Sequence, residues 1–231
     1  MELALERVLA STGLNQSFSQ YTFLHKGIPT TYKKRQSWSV PAGAITAKDG
    51  RWVDGPGMRL IEALRASNPQ VNLVAEDLGT PTPDVAELLE ASGLPGMKVL
   101  QFAFDGREDN EHLPHGIPAN CVCYTGTHDN APLGAWFAEE STACVDLARR
   151  YVGLSNEEGL VWGMVREGMT SPATLFFAQM QDYLELGASS RINTPGTMDG
   201  NWRWRLRKGQ LTYDLAKRIA GITRLYGRCA G

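Results

Sequence analysis

Apolar residues along this chain follow two rhythms that take turns. Short apolar runs bounded by turn signals cover Val71 to Ala75, Met97 to Phe104, Cys121 to Tyr124 and Ala173 to Met180. Runs of that length predict buried strands. Between them the spacing turns helical. Leu60, Ile61 and Leu64 share a face within 58–66, and further helices are predicted over 82–92, 144–152 and 157–167. A closing helix over 212–226 places Leu215, Ile219, Ile222 and Leu225 on one face. Thr82-Pro83-Asp84 has the form of an N-cap, a first helical position and a first-turn acid, and Gly93 that of a stop. Strands alternating with helices mean parallel βαβ units, so the fold class predicted is α/β. Four strands, where a closed (β/α)8 TIM barrel takes eight, predict half of such a barrel.

The start of the chain does not share this texture. Residues 1–37 form an unplaced segment, with one short helix expected over Glu2 to Ala10 and a basic run, Lys33-Lys34-Arg35, that reads as solvated surface. From Trp38 the chain becomes turn-rich, through Ser39-Val40-Pro41-Ala42-Gly43 and Gly50 to Gly57, and residues 38–231 form the half-barrel.

Composition narrows the function. The 231 residues are 42% hydrophobic and 21% charged, as in ordinary globular proteins. A net charge of −2 argues against a nucleic-acid partner. No apolar run reaches the roughly 20 residues of a membrane span. The first residues carry acid early, so no signal peptide is expected and a cytoplasmic setting is. Four cysteines, Cys121, Cys123, Cys144 and Cys229, lack zinc-type spacing and read as buried thiols. Neither a metal nor a cofactor is expected.

Chemistry enters where the apolar runs stop. The first ends in Glu76-Asp77 before Leu78-Gly79, and the third in Gly126-Thr127-His128-Asp129-Asn130. Charge at the tip of a buried strand costs desolvation unless a site uses it, and in β/α barrels catalytic groups stand at those tips. Two carboxylates delivered to one end suit glycoside chemistry, with one carrying the proton and the other opposing the developing cation. Each group has a plainer alternative: a capping or salt-bridged Glu76-Asp77, a structural His128-Asp129 pair, and Trp202 and Trp204 as packing. His112 and His115 read as loop surface residues.

Several stretches together, in order, resemble amylomaltase, the 4-α-glucanotransferase of the α-amylase clan. They are Ala75-Glu76-Asp77-Leu78-Gly79, Gly93 to Phe102, Tyr124 to Asn130, Arg191-Ile192-Asn193-Thr194-Pro195-Gly196, and Asn201-Trp202-Arg203-Trp204-Arg205. Val40 to Gly43 and Trp52 to Gly57 fit its approach to the acid-bearing strand, and the resemblance covers about residues 38 to 226. It implies about the C-terminal four β/α units of the barrel and a retaining transfer of α-1,4-glucan segments between maltooligosaccharides. Carried over, Glu76 matches the general acid/base and Asp129 the carboxylate that stabilises the oxocarbenium-like state. His128 matches a sugar-binding histidine, Asp77 and Asn130 residues that contact the substrate or support those that do, and Trp202 a sugar-contacting loop.

One departure matters. The family's nucleophilic aspartate precedes the Trp-Ser-Val-Pro-Ala-Gly match, where this chain has Pro29, and no Asp or Glu lies between Arg7 and Asp49. Proline cannot attack an anomeric carbon, so the covalent intermediate has no donor here. Two expectations follow: a chain that is, or derives from, the transferase and supplies its acid/base half, or a non-catalytic glucan-binding remnant or subunit that performs no turnover. Half a barrel would also leave inward residues such as Val99, Gln101, Ala103, Val122 and Tyr124 without an opposite wall. A homodimer or a complementing N-terminal half-barrel is therefore an expected partner.

Overall fold

A computed structural model of the protein describes residues 36–39, 51–78, 83–197 and 199–229. The chain divides into two compact units, 1–96 and 97–231. The expected helix over Glu2 to Ala10, the Thr82 cap and the Pro29 position lie outside the described residues.

In the first unit, β1 (Gln36–Ser39) and β2 (Arg51–Asp54) pair antiparallel with Trp38 opposite Trp52, a hairpin the sequence did not announce. Helix α1 (Met58–Ser67) follows as predicted, and α2 (Pro83–Ser92) ends at Gly93, whose φ of 61° is the left-handed stop that glycine supplies cheaply. Arg65 donates from Nη2 to the Ser92 carbonyl at 2.6 Å and so fastens α1 to the end of α2.

The expected strand over Val71 to Glu76 is corrected: residues 71–78 carry no regular structure. A strand exists only through a ladder, and here the backbone meets its neighbour where Ala75 N–H donates to Pro95 O at 2.9 Å, without continuing as a ladder.

In the second unit, β3 (Gly96–Val99, begun one residue earlier), β4 (Cys121–Tyr124) and β5 (Leu175–Phe177) form a sheet in that order. β4 and β5 run parallel, with Val122 opposite Leu175 and Tyr124 opposite Phe177, so the fold is α/β with a parallel sheet. Expected strand 97–104 is shortened. After Val99 the backbone tightens into a 3-10 turn at Leu100–Phe102, secured by Ala103 N–H to Leu100 O and by the Asn110 amide on Phe102 O at 2.7 Å. Expected strand 173–180 is likewise cut to three residues.

Between β4 and β5 lie α3 (Leu133–Glu139), α4 (Thr142–Val152) and α5 (Leu160–Thr170). Helix α3 was not foreseen. Ser141 caps α4 by accepting from Cys144 N–H. Helix α5 buries Val161, Trp162, Met164, Val165 and Met169, and any side chain at Gly168 would collide with the Phe176 ring of β5. The core joins Leu100, Phe104, Leu133, Trp136 and Met164. After β5 come a short α6 (Met180–Tyr183) and α7 (Tyr213–Leu225), the latter capped by Thr212. Leu215, Ile219 and Ile222 of α7 are half-buried, while Leu225 is exposed. Arg228 then donates to the carbonyls of Met169, Ser171 and Ala173, closing the end of α5.

The inward residues named above do not lie open. Val99, Gln101, Ala103 and Val122 are buried and Tyr124 is half-buried, because the Gln101 amide bonds Ala131 O and Ala103 packs in the Leu100–Phe104 core. Exposure falls instead on β5, where Leu175 and Phe177 are about half exposed. His112 also departs from a loop surface residue: it is half-buried and its Nδ1 accepts from Val99 N–H at 3.1 Å.

Candidate functional site

The chain leaves β4 at Tyr124 and must turn within a few residues. Thr125 is fully buried, and Gly126 follows where a side chain would stand 2.6 Å from the Gln101 amide and 3.1 Å from Asn130 Cβ. Only glycine fits that approach. Asn130 then folds the turn back on itself. Its Oδ1 accepts from the Thr127 backbone at 2.8 Å and the Thr127 hydroxyl at 2.9 Å, while its own N–H donates to Thr127 O. Asn130 is thus a turn-building residue first. Both feet of the turn rest on one buried carboxylate. Asp182 accepts from the Thr125 hydroxyl at 2.6 Å and from Leu133 N–H at 2.7 Å. Burial pushes the Asp182 carboxyl up to about 6, against the lowering effect of those two bonds.

On this support His128 and Asp129 project with side chains about half exposed. Asp129 Oδ1 accepts from Asn193 Nδ2 at 2.6 Å and lies 3.1 Å from His128 Nε2. Arg191 donates from Nη2 to the Asp129 carbonyl at 2.6 Å and from Nε to the Asn193 carbonyl at 2.9 Å. Trp202 packs beside His128: its ring centroid is 5.2 Å from that of His128, and the residue is 57% exposed. Its φ of 61° is unusual for a bulky residue and costs on the order of 1–3 kcal/mol. The bond from Trp202 N–H to Ile192 O at 2.7 Å and the Arg205 guanidinium on Trp202 O hold it there. A carboxylate beside an exposed aromatic face is suited to a sugar, whose hydroxyls bond to the acid and whose C–H face stacks on the ring.

The structure therefore brings His128, Asp129, Asn130 and Trp202 together. Glu76 and Asp77 belong to the other unit: Glu76 is exposed, and Asp77 is half-buried with its carboxylate against Gly96, where a Cβ would lie 2.7 Å from Oδ2. Arg191, Asn193, Thr125 and Asp182 had no assigned role in the sequence reading. Arg191 and Asn193 lay inside a quoted motif, but their partner is 62 and 64 residues away, beyond the reach of local pattern. Among the described residues, no group of three or more His, Cys, Asp or Glu side chains is placed to hold a metal ion, and no helix is long and apolar enough to cross a membrane.

Known proteins match this architecture. A family profile described as 4-alpha-glucanotransferase matches residues 35–212. The 4-alpha-glucanotransferase of Clostridium butyricum is 42% identical over 197 residues, covering 83% of this chain and 40% of that protein. That of Thermus thermophilus is 41% identical over 192 residues, covering 80% and 38%. Among solved structures, the amylomaltase of Streptococcus agalactiae, in complex with acarbose, superposes with a TM-score of 0.78 at 31% identity, covering 84% of this chain and 40% of that one. The chain thus spans about 40% of the length of these relatives. With its α/β fold and these matches, the chain belongs to the 4-alpha-glucanotransferase family.

Proposed function

We propose that the chain provides the acid/base and glucan-gripping part of a 4-α-glucanotransferase, acting on α-1,4-glucan segments by a retaining route. Glu76 protonates the leaving glycosidic oxygen and later takes the proton from the acceptor hydroxyl. The Asp129 carboxylate faces the oxocarbenium-like sugar and accepts bonds from its hydroxyls. His128 and Trp202 wall the sugar, and Asp77 supports the Glu76 stretch. The observation that carries this reading is the fixed, half-exposed Asp129 carboxylate, 3.1 Å from a His128 ring that packs on the exposed Trp202.

Pro29 stands where the nucleophile would be, so a glycosyl-enzyme does not form on this chain. That favours binding without turnover for the isolated chain, the second of the two readings. Incubated with maltotriose, the purified chain is expected to give no more than trace disproportionation. Robust conversion that Glu76→Gln abolishes would overturn this and point to a nucleophile elsewhere.

The exposed Leu175 and Phe177 on β5 support association with a second copy or with a complementing N-terminal half-barrel. Light scattering across a concentration series is expected to show mass rising above that of one chain. A constant monomer at high concentration rules out the second copy, and failure of a separately made N-terminal half to bind rules out the other.

A further inference from the structure

An aspartate that is half exposed on a turn has no intrinsic preference for one carboxylate orientation. Asp129 nevertheless has both close neighbours on the same oxygen, Oδ1: the Asn193 amide donates to it at 2.6 Å and His128 Nε2 lies 3.1 Å from it. Arg191 spans the two backbones, with Nη2 on Asp129 O and Nε on Asn193 O, and so fixes the separation between the residues it joins. The guanidinium fork is rigid, which makes it a spacer as well as a donor.

We propose that Asn193, braced by Arg191, is a positioning residue that orients the Asp129 carboxylate so that Oδ2 faces the glucan. The inference rests on the reading above in which Asp129 contacts sugar. An amide suits the task better than the charged alternatives. It donates to the carboxylate without neutralising it, so the negative charge stays available to the developing sugar cation. Lysine there would compensate that charge, and a carboxylate would repel it.

Asn193→Asp and Asn193→Ala test this, with maltoheptaose affinity measured by calorimetry at pH 4.5 and pH 8 and expressed relative to the unaltered chain. The charged and titratable groups at this turn are Asp129, His128 and Arg191, and the ratio removes their own pH dependence. At pH 4.5 the facing carboxyls of Asp129 and position 193 share one proton, because like charge in contact raises one of the pair's values, and that proton bridges them as the amide does, so affinity is expected within about twofold of the parent. At pH 8 two facing carboxylates repel, and affinity is expected to fall by roughly tenfold or more. Asn193→Ala is expected to lose roughly tenfold at both pH values. A pH-independent ratio for Asn193→Asp, or parental affinity in Asn193→Ala, overturns the proposal. If the unaltered chain binds no maltoheptaose, the functional reading fails and the positioning inference is judged by carbon-13 titration of the carboxyls in Asn193→Asp. Two groups in contact titrate in coupled steps, whereas independent single steps overturn the contact.

Discussion

Around Asp129 the chain is held at several levels. Asp182 grips the turn at Thr125 and Leu133, Asn130 closes it internally, and Arg191 and Asn193 hold its upper side. Around Glu76 the backbone carries no regular structure, touching its neighbour through Ala75 N–H to Pro95 O. Both residues close a short apolar run, yet one is braced and the other rests on an unfinished ladder. The contrast follows from their surroundings: the 97–231 unit supplies the contacts that hold Asp129 and its turn. A carboxylate with the charge-stabilising role proposed for Asp129 works by being fixed before the charge appears. Glu76 would be fixed by strand pairing, which requires a neighbouring strand that continues the ladder.

The sharpest way to break this contrast is to remove the shared footing. Asp182→Ala frees the Thr125 hydroxyl and leaves Leu133 N–H buried without its acceptor, which is expected to cost about 3 kcal/mol in urea unfolding at pH 5. The matching surface change, Glu76→Gln, is expected to move stability by less than about 0.5 kcal/mol. Equal effects would mean that the two regions are not differently braced. Titration gives a second handle on the same carboxyl. Its folded value, about 6, lies above the ordinary 3.8, so the folded state holds the proton more tightly. The stability this contributes is fully present below pH 3.8 and is lost as pH rises through 6, by up to roughly 3 kcal/mol. Comparing unfolding at pH 4 and pH 7 in the unaltered chain and in Asp182→Asn isolates it. No difference between the two chains would contradict the buried, charge-disfavouring site.

Much of this was legible from residues alone, for physical reasons. Leu60, Ile61 and Leu64 announced α1, Ser92-Gly93 the end of α2, and Cys121 to Tyr124 the central strand, because each signal is local. Val71 to Glu76 looked the same as Cys121 to Tyr124, but pairing depends on a partner strand that local pattern does not reveal. The shortening of the strand at Val99 depends on Asn110 reaching back to Phe102 O, a tertiary contact with no signature in the run itself. Helix α3 was missed because Leu133, Ala135 and Trp136 make too short a segment after Pro132 for periodicity to register. Asp129, His128 and Trp202 were named from their ordered motifs, and the structure brings them close together, whereas the contacts of Asp182, Arg191 and Asn193 emerge only once distant segments meet.

The most direct test is a calorimetric titration of maltoheptaose into three chains: unaltered, Asp129→Ala and Glu76→Gln. In the proposed role the braced carboxylate accepts charge-assisted bonds from sugar hydroxyls, worth about 1.5–3 kcal/mol each, so Asp129→Ala is expected to lose roughly 10- to 100-fold in affinity. Glu76→Gln is expected to bind as the unaltered chain does, since the part proposed for Glu76 is proton transfer. Unchanged affinity in Asp129→Ala, or an equal loss in both variants, would contradict the division of labour between the two carboxylates.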